Sequence, residues 1–563
     1  MGSNAIYQAT AGARPGKTAF DRSSLHITDV NIGALVPVWI EEVIPGDVYD
    51  LSAVSLIRSQ PLVTPIFHKL QVFFHTFFVP WRIVFRDWEK FISRGSSGDE
   101  IVSLPKFAAA QYNNNAVRVD RYSLYDYFGL PIHDPATGAP ADDYSFVNAP
   151  PMHDLYWRAY WAIWRDFYRD ANHQLNYPDI LKDLAAPVPC GESPDELLDQ
   201  LDVWMETEYD STADIPCNQV AYRCWEKDYF TSALPWQQRG TAPAIPVSGT
   251  SAAIWPSASF TNGAPDRPFG FKDLPDGDAY TQSAGSLTNA IGWFNSNSVT
   301  FAAAGISVSS MRATIQTQRW MERNARGGYR YNEFLQAHFG VNPKDERLQR
   351  PEYIGGSRNP VIISEVLQTS ATDVAVSPQG NMAGHAMAVN DSFQGRYRVL
   401  EHGCLMTIMS IMPEAVYQSG VARTFLRDST FDFYSPEFAH LSEQEIQNQE
   451  IFFGDTGGMP GLDTVRFGFQ AAWDEYRDKP SIVTGKMANG LDIWHLSRQF
   501  DGLPSLNEDF LTLQNFSETR RDSWAVPGVV SNSQGQFLVQ YRAIVKAVRP
   551  MPYISDPGQM DHF

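Results

Sequence analysis

Two stretches of this chain are apolar in both alternating phases. Val72 to Val79 (VFFHTFFV) and Cys404 to Met412 (CLMTIMSIM) predict strands covered on both sides. Further on the pattern changes. Phe537, Val539, Tyr541 and Val545 alternate with Gln540, Arg542 and Lys546, which predicts a strand with one buried and one open face. From Asn31, β-type runs flank Pro45-Gly46-Asp47, a turn in which Pro fixes φ and Gly accepts positive φ. Pro37 inside the first run marks an edge strand or a bulge.

Helical patterns are fewer. Trp157, Trp161, Trp164 and Tyr168 recur at spacings of four, three and four, one apolar helix face that reads as core packing. A second helix is expected after Ser309-Ser310, ending at Gly327-Gly328, and YRYNEFLQAHFG resumes as a third. Between them, Gly240 to Ser310 is rich in Ser, Ala, Gly, Asn, Thr and Pro and holds six charged residues. Trp255, Phe260, Phe269 and Trp293 are its expected anchors, and the segment reads as an exposed insertion beginning near Pro187. The expected organisation is an arm over 1–30, a first core part over 31–186 with a helical insertion, the surface insertion over 187–310, and a second core part over 311–563 with the last strand and a tail.

Length and charge narrow the function. At 563 residues the chain exceeds one ordinary core, so it carries either several domains or long elaborations. Hydrophobic residues make up 43% and charged residues 19%, enough to bury a large core. The net charge of −20 argues against wrapping nucleic acid unaided, because phosphate binding needs clustered Lys and Arg. The first residues show no apolar signal core, and Leu70 to Phe85 is too interrupted to span a membrane. Four cysteines without a CxxC pair fit a reducing compartment.

Catalytic and metal motifs are missing. AGARPGKT (Ala11 to Thr18) lacks the first glycine of a phosphate-binding loop and its strand–helix context, and reads as a basic arm carrying Arg14 and Lys17. HExxH, GxSxG and GxGxxG do not occur, and Asp276-Gly277-Asp278 lacks the remaining positions of a calcium loop. No cofactor, metal or enzymatic activity is expected. Basic residues gather at Arg319, Arg323, Arg326 and Arg330; at Arg347, Arg350 and Arg358; at Arg396 and Arg398; and at Arg542, Lys546 and Arg549. The first two groups read mainly as partners of the abundant carboxylates. The last reads as ion-paired too, though less strongly, because its strand face offers a place to meet a polyanion.

Several stretches, in order, resemble the major capsid proteins of the microviruses, small icosahedral single-stranded DNA phages, and their gokushovirus branch in particular. They are LVPVWIEEVIPGDVYDL (Leu35 to Leu51), FFVPWRIVFRDWEKF (Phe77 to Phe91), WRAYWAIWRDFYRDAN (Trp157 to Asn172), ERNARGGYRYNEFLQAHFGVNPKDERLQRPEYIGG (Glu322 to Gly356), LQTSATD (Leu367 to Asp373), FYSPEFAHLSEQEIQNQEIF (Phe433 to Phe452) and RPMPYISDPGQMDHF (Arg549 to Phe563).

The resemblance implies a mainly β fold, an eight-stranded antiparallel jelly roll with long, partly helical insertions between strands, assembled as sixty copies in a T=1 shell. It implies that 187–310 is a variable protrusion at the threefold axes, involved in host attachment. The implied partners are the chain itself, a single-stranded DNA genome held through a small basic DNA-binding protein, an internal scaffolding protein, a minor pilot protein and a host cell-surface receptor, without membrane insertion. Assembly would take place in the host bacterial cytoplasm. Arg14, Lys17, Arg542, Lys546 and Arg549 are then the expected genome-facing residues. The rival reading is a polysaccharide-binding or hydrolysing β-sandwich using the insertion's aromatics as a sugar platform.

Overall fold

The computed structural model of the chain describes residues 16–94, 101–104, 122–130, 152–174, 219–241, 243, 271–272, 280–281, 308–327, 330–367, 382–453, 465–488, 490–500, 502–524 and 535–553. The chain forms two units, one of residues up to 237 together with those from 328 onward, the other of residues 238–327.

The larger unit is built on long antiparallel strands: β1 (Thr18–Asp21), β2 (Ser24–Val30), β3 (Val36–Val43), β4 (Val48–Ser59), β5 (Leu70–Pro80), β6 (Glu352–Leu367), β7 (Met382–Arg398), β8 (Gly403–Pro413) and, after the β9–β10 hairpin (Glu443–Gln447 and Arg466–Ala471), β11 (Phe537–Arg549). Eight of them follow the path β1-β11-β4-β7-β6-β5-β8-β3, and β2 pairs along β11 beside β1. Strand β6 turns the corner between two layers. Its residues 352–361 pair with β5, and 362–367 pair with β7. The result is the expected jelly-roll sandwich, with β11, β4 and β7 in one layer and β5, β8 and β3 in the other.

Inward side chains of both layers form the main core, among them Tyr49, Leu51, Ile57, Val539 and Val545 opposite Val72, Phe74, Leu405 and Ile411. The rings of Phe74 and Tyr541 meet across the sandwich at 5.2 Å. A polar chain is buried with them. Thr76 Oγ1 donates to Gln394 Oε1 at 2.7 Å and lies 2.9 Å from Thr407 Oγ1, while Gln394 Nε2 donates to Tyr541 Oη at 3.2 Å. Four strands from both layers thus satisfy one another's buried polar groups, which would otherwise cost about 1–3 kcal/mol each.

The two layers differ in cover, as their patterns predict. The outer face of the β5 layer packs Phe77, Val79, Cys404, Met406 and Ile408 against helix α1 (Leu155–Ile163), including Trp157, Tyr160 and Trp161. That second contact explains why β5 and β8 are apolar in both phases. Tyr160 Oη donates to the Leu35 carbonyl at 2.8 Å, fixing the helix to the chain entering β3. The tryptophan stripe is therefore core, and α1 runs on into a π-helical turn over Trp164–Tyr168. Strand β11 instead alternates buried and exposed from Phe537 to Ala547, because no element of the described chain covers its outer face.

The free edges of the layers meet at a seam. His26 Nδ1 lies 2.8 Å from the Val38 carbonyl, and Glu41 on β3 accepts from Arg22 and from Arg549, each at 2.8 Å. Side chains rather than a backbone ladder close the sandwich. The arm expected over 1–30 is corrected in its second half. Residues 18–30 are strands because the open edge of β11 offers unpaired backbone groups. Residues 1–15 lie outside the described residues.

A third cluster holds the chain between β8 and β11, around Tyr229, Phe230, Tyr417, Ile446, Phe467 and Phe510. The expected third helix is α3 (Tyr331–Phe339), closed by Gly340 at φ 68°. In the smaller unit the expected helix is present as α2 (Val308–Gly327), and Phe271–Lys272 pairs with Tyr280–Thr281. Among the described residues no helix is long and apolar enough to cross a membrane.

Candidate genome-facing and assembly surfaces

The open face of the β11 layer can be read row by row from the strand register. Arg542 lies between Leu25 on β2 and Val54 on β4, with Asp391 of β7 beyond Val54. Two residues along, Gln540 stands in a row with Ile27, Leu56 and Val389. In the other direction Ile544 aligns with Ser52 and Phe393, and Lys546 with Asp21, Asp50 and Arg396. Directly opposed residues of a ladder point to one face, so these side chains share a surface. It is amphipathic, with Ile27 71% and Phe393 66% exposed between the charged rows.

Charges on this surface are partly matched. Arg396 pairs with Asp50 at 3.3 Å. The Asp21 carboxyl is held below its usual range, first by the Ser23 hydroxyl and backbone N–H and further by the Arg542 and Lys546 charges. Neither Arg542 nor Lys546 forms an ion pair among the described residues, and both are exposed.

The expected genome-facing residues therefore separate. Arg542 and Lys546 stand together on the open face. Lys17 is exposed at the start of β1 and donates through Nζ to the Gly46 carbonyl at 2.8 Å. Arg14 lies outside the described residues. Arg549 is drawn into the seam. It reaches Glu41 at 2.8 Å, Asp47 at 3.3 Å and the Tyr49 hydroxyl, and its side chain is 16% exposed. Burial raises the Asp47 carboxyl above its ordinary value despite these partners. Arg549 is a structural cation because it sits between two buried acids and a phenol instead of facing water.

The other basic groups behave in different ways. Arg350 pairs with Asp345 and lies over the Phe167 ring at 5.1 Å, and Arg358 pairs with Glu226 at 3.2 Å. Arg330 donates to the carbonyls of Arg165 at 2.7 Å and Arg169 at 2.9 Å. Arg319 and Arg323 are exposed on α2. The insertion anchors Trp255, Phe260, Phe269 and Trp293 lie outside the described residues, as do Asp276 and Asp278.

Two features carry no warning in the sequence. Arg498, 5% exposed, is enclosed by rings, with its guanidinium carbon 3.9 Å from the centre of Phe510, 5.0 Å from Trp225 and 5.4 Å from Phe500. It donates to the Tyr417 hydroxyl at 3.3 Å, and Tyr417 donates to Asp228 at 2.7 Å. A buried cation held this way rivets the third cluster beside a cleft of about 380 Å³. The second feature is a set of exposed rings between Phe425 and Tyr434, in a stretch whose aromatics have no helical or strand period to reveal which way they face. Among the described residues, no three His, Cys, Asp or Glu side chains gather to hold a metal.

A jelly roll with one covered and one open sheet presents broad exposed surfaces for contact. The family model described as capsid protein (F protein) matches residues 10–559. The capsid protein VP1 of Chlamydia phage 1 is 32% identical, over 96% of this chain and 95% of its own length. VP1 of Bdellovibrio phage phiMH2K is 30% identical over 88% of this chain and 87% of its own, and VP1 of Spiroplasma virus 4 is 28% identical over 95% of each. With an F-protein match along nearly its whole length and these VP1 relatives, the chain belongs to the phage capsid protein family, as a virion structural protein of the gokushovirus-like microviruses.

Proposed function

We propose that sixty copies of the chain close a T=1 icosahedral shell around a circular single-stranded DNA genome, with the open face of the β11 layer turned toward that genome. The observation that carries this reading is the contrast between the layers: one is covered on both sides, while the other leaves Arg542 and Lys546 uncovered among aliphatic side chains. A surface of that composition suits both phosphates and the apolar parts of a small basic protein. With a net charge of −20 per copy, that basic protein supplies most of the neutralisation and the face supplies local contacts. Lys17, exposed beside the first residue of β1, extends the same face.

The segment 187–310 then projects outward as the threefold protrusion that meets a host receptor. An internal scaffolding protein and a minor pilot protein act during assembly in the host cytoplasm.

Arg542→Gln with Lys546→Gln tests the assignment. The double variant is expected to fold and form shells at wild-type yield while the DNA content of purified particles falls severalfold. Full DNA content, or an equal loss of folding and packaging, would sink the inward assignment. Wild-type chain expressed with its basic and scaffolding partners should give uniform shells by negative-stain microscopy.

A further inference from the structure

Between β8 and the β9–β10 hairpin the chain carries five aromatic side chains from Phe425 to Phe438, and most of them face water. Phe425 is 83% exposed, Phe431 73%, Phe433 55% and Tyr434 48%, and Tyr476, just after β10, is 55% exposed. Single exposed rings are ordinary, but Phe431, Phe433, Tyr434 and Tyr476 each meet another ring or a cation, and Phe425 precedes them in the same stretch. Phe431 meets Phe438 at 5.9 Å, and Tyr434 meets Trp473 at 5.6 Å and Tyr476 at 6.2 Å. Arg427 lies over Tyr476 at 4.7 Å and over Phe433 at 5.2 Å.

The patch is held in shape although it lacks a long strand or helix. Three short 3₁₀ turns, Arg423–Phe425, Thr430–Asp432 and Pro436–Phe438, order it. Asp432 accepts from the backbone N–H of Asp428 at 3.0 Å and of Ser429 at 2.7 Å. Trp473 Nε1 donates to the Phe438 carbonyl at 3.0 Å, and Arg427 pairs with Glu475 at 3.1 Å, both side chains less than a tenth exposed. Rings fixed before contact lose little freedom on contact, a property of anchors. At these exposures, five such side chains present on the order of 600 Å². That is most of the ~800 Å² each partner gives to a standard interface.

Charge decides the class of partner. Arg427 is occupied by Glu475 and Arg423 by Glu450, while Asp428, Asp432 and Glu437 around the rings have no ion-pair partner among the described residues. An apolar centre with an acidic rim does not suit phosphates, whether of a polyanion or of an anionic lipid surface, whereas preordered rings of this area suit an apolar or locally basic part of a protein surface. In a chain of a self-assembling capsid family, the protein that meets each subunit most often is another copy of itself.

We propose that the Phe425–Tyr434 patch, with Tyr476, is a subunit contact that seats on a different surface of a second copy of this chain. Such a heterologous contact propagates around a symmetry axis. The inference rests on the shell reading above and adds which residues make the contact.

Phe425→Ser with Phe431→Ser is the direct test, since both side chains are largely in water and contribute little to the fold. The double variant is expected to keep the wild-type melting temperature while the yield of shells on a sucrose gradient drops about tenfold or more. Hydroxyl-radical footprinting of wild type gives a second readout, with Phe425 and Phe431 oxidised in free subunits and protected in shells. Variant shells at wild-type yield, or equal oxidation in both states, would overturn the proposal while leaving the shell reading intact. A wild-type chain that stays monomeric with and without its partners would overturn the shell reading and the contact with it.

Discussion

Arg542 and Arg549 lie seven positions apart on one strand and have opposite fates. Arg542 faces water, whereas Arg549 closes on Glu41 and Asp47, acids some five hundred positions away in sequence. Arg549→Gln is expected to lower unfolding stability by about 2–4 kcal/mol, because buried Asp47 loses its cation. Arg542→Gln should leave the denaturant midpoint nearly unchanged. Equal midpoints for the two variants would contradict the division. His75 on β5 makes a second residue-scale case. Its Nδ1 lies 2.8 Å from the Tyr168 hydroxyl, and burial, with the Arg223 charge nearby, depresses its pKa from 6.5 to about 4. The unfolded chain therefore takes up this proton at higher pH than the folded one. The contribution of neutral His75 is complete above pH 6.5 and fades as pH falls toward 4, up to about 3 kcal/mol in all. Melting curves across that window should fall less steeply in His75→Phe than in wild type. Burial of this kind is illegible in sequence, where His75 is one polar letter in an apolar strand.

At the scale of elements, periodicity identified the strands that the main core needs most. Double-sided apolar runs marked β5 and β8, and strict alternation marked β11, because cover by helix α1 or by nothing writes itself into the two phases of a strand. Strands β6 and β7 gave no such signal. Their inward positions include small or polar residues, Ala386, Ala388, Asn390 and Gln394, and glycines sit where backbones approach. A Cβ on Gly355 would stand 1.9 Å from the Gln394 carbonyl oxygen, so this close approach requires glycine for reasons that period cannot express. Strand β2 has the sequence of an arm because its neighbours lie at the far end of the chain. Its hold is weak on one side, where side chains replace a ladder. Arg22→Ala with His26→Ala should speed hydrogen exchange of β2 amides severalfold while β5 amides keep wild-type protection. Uniform acceleration would show instead that the seam supports the whole sandwich.

For the whole molecule, fold class and family were readable from a few ordered motifs, whereas the working surfaces were not. The open β11 face was half visible, through Arg542 and Lys546 in one phase of a strand. The aromatic patch was invisible, because no local pattern tells an exposed ring from a buried one when the backbone runs in short turns. A net charge of −20 sets the copies against one another at long range, so short-range contacts such as ring seating must overcome that repulsion. Strand β6, shared by both layers, bears on how such copies are made. A slip of one residue would turn its side chains inside out in both layers at once, so neither layer settles until the other is in register. A register error in this one strand would therefore spoil both faces that a copy offers its neighbours, not one alone.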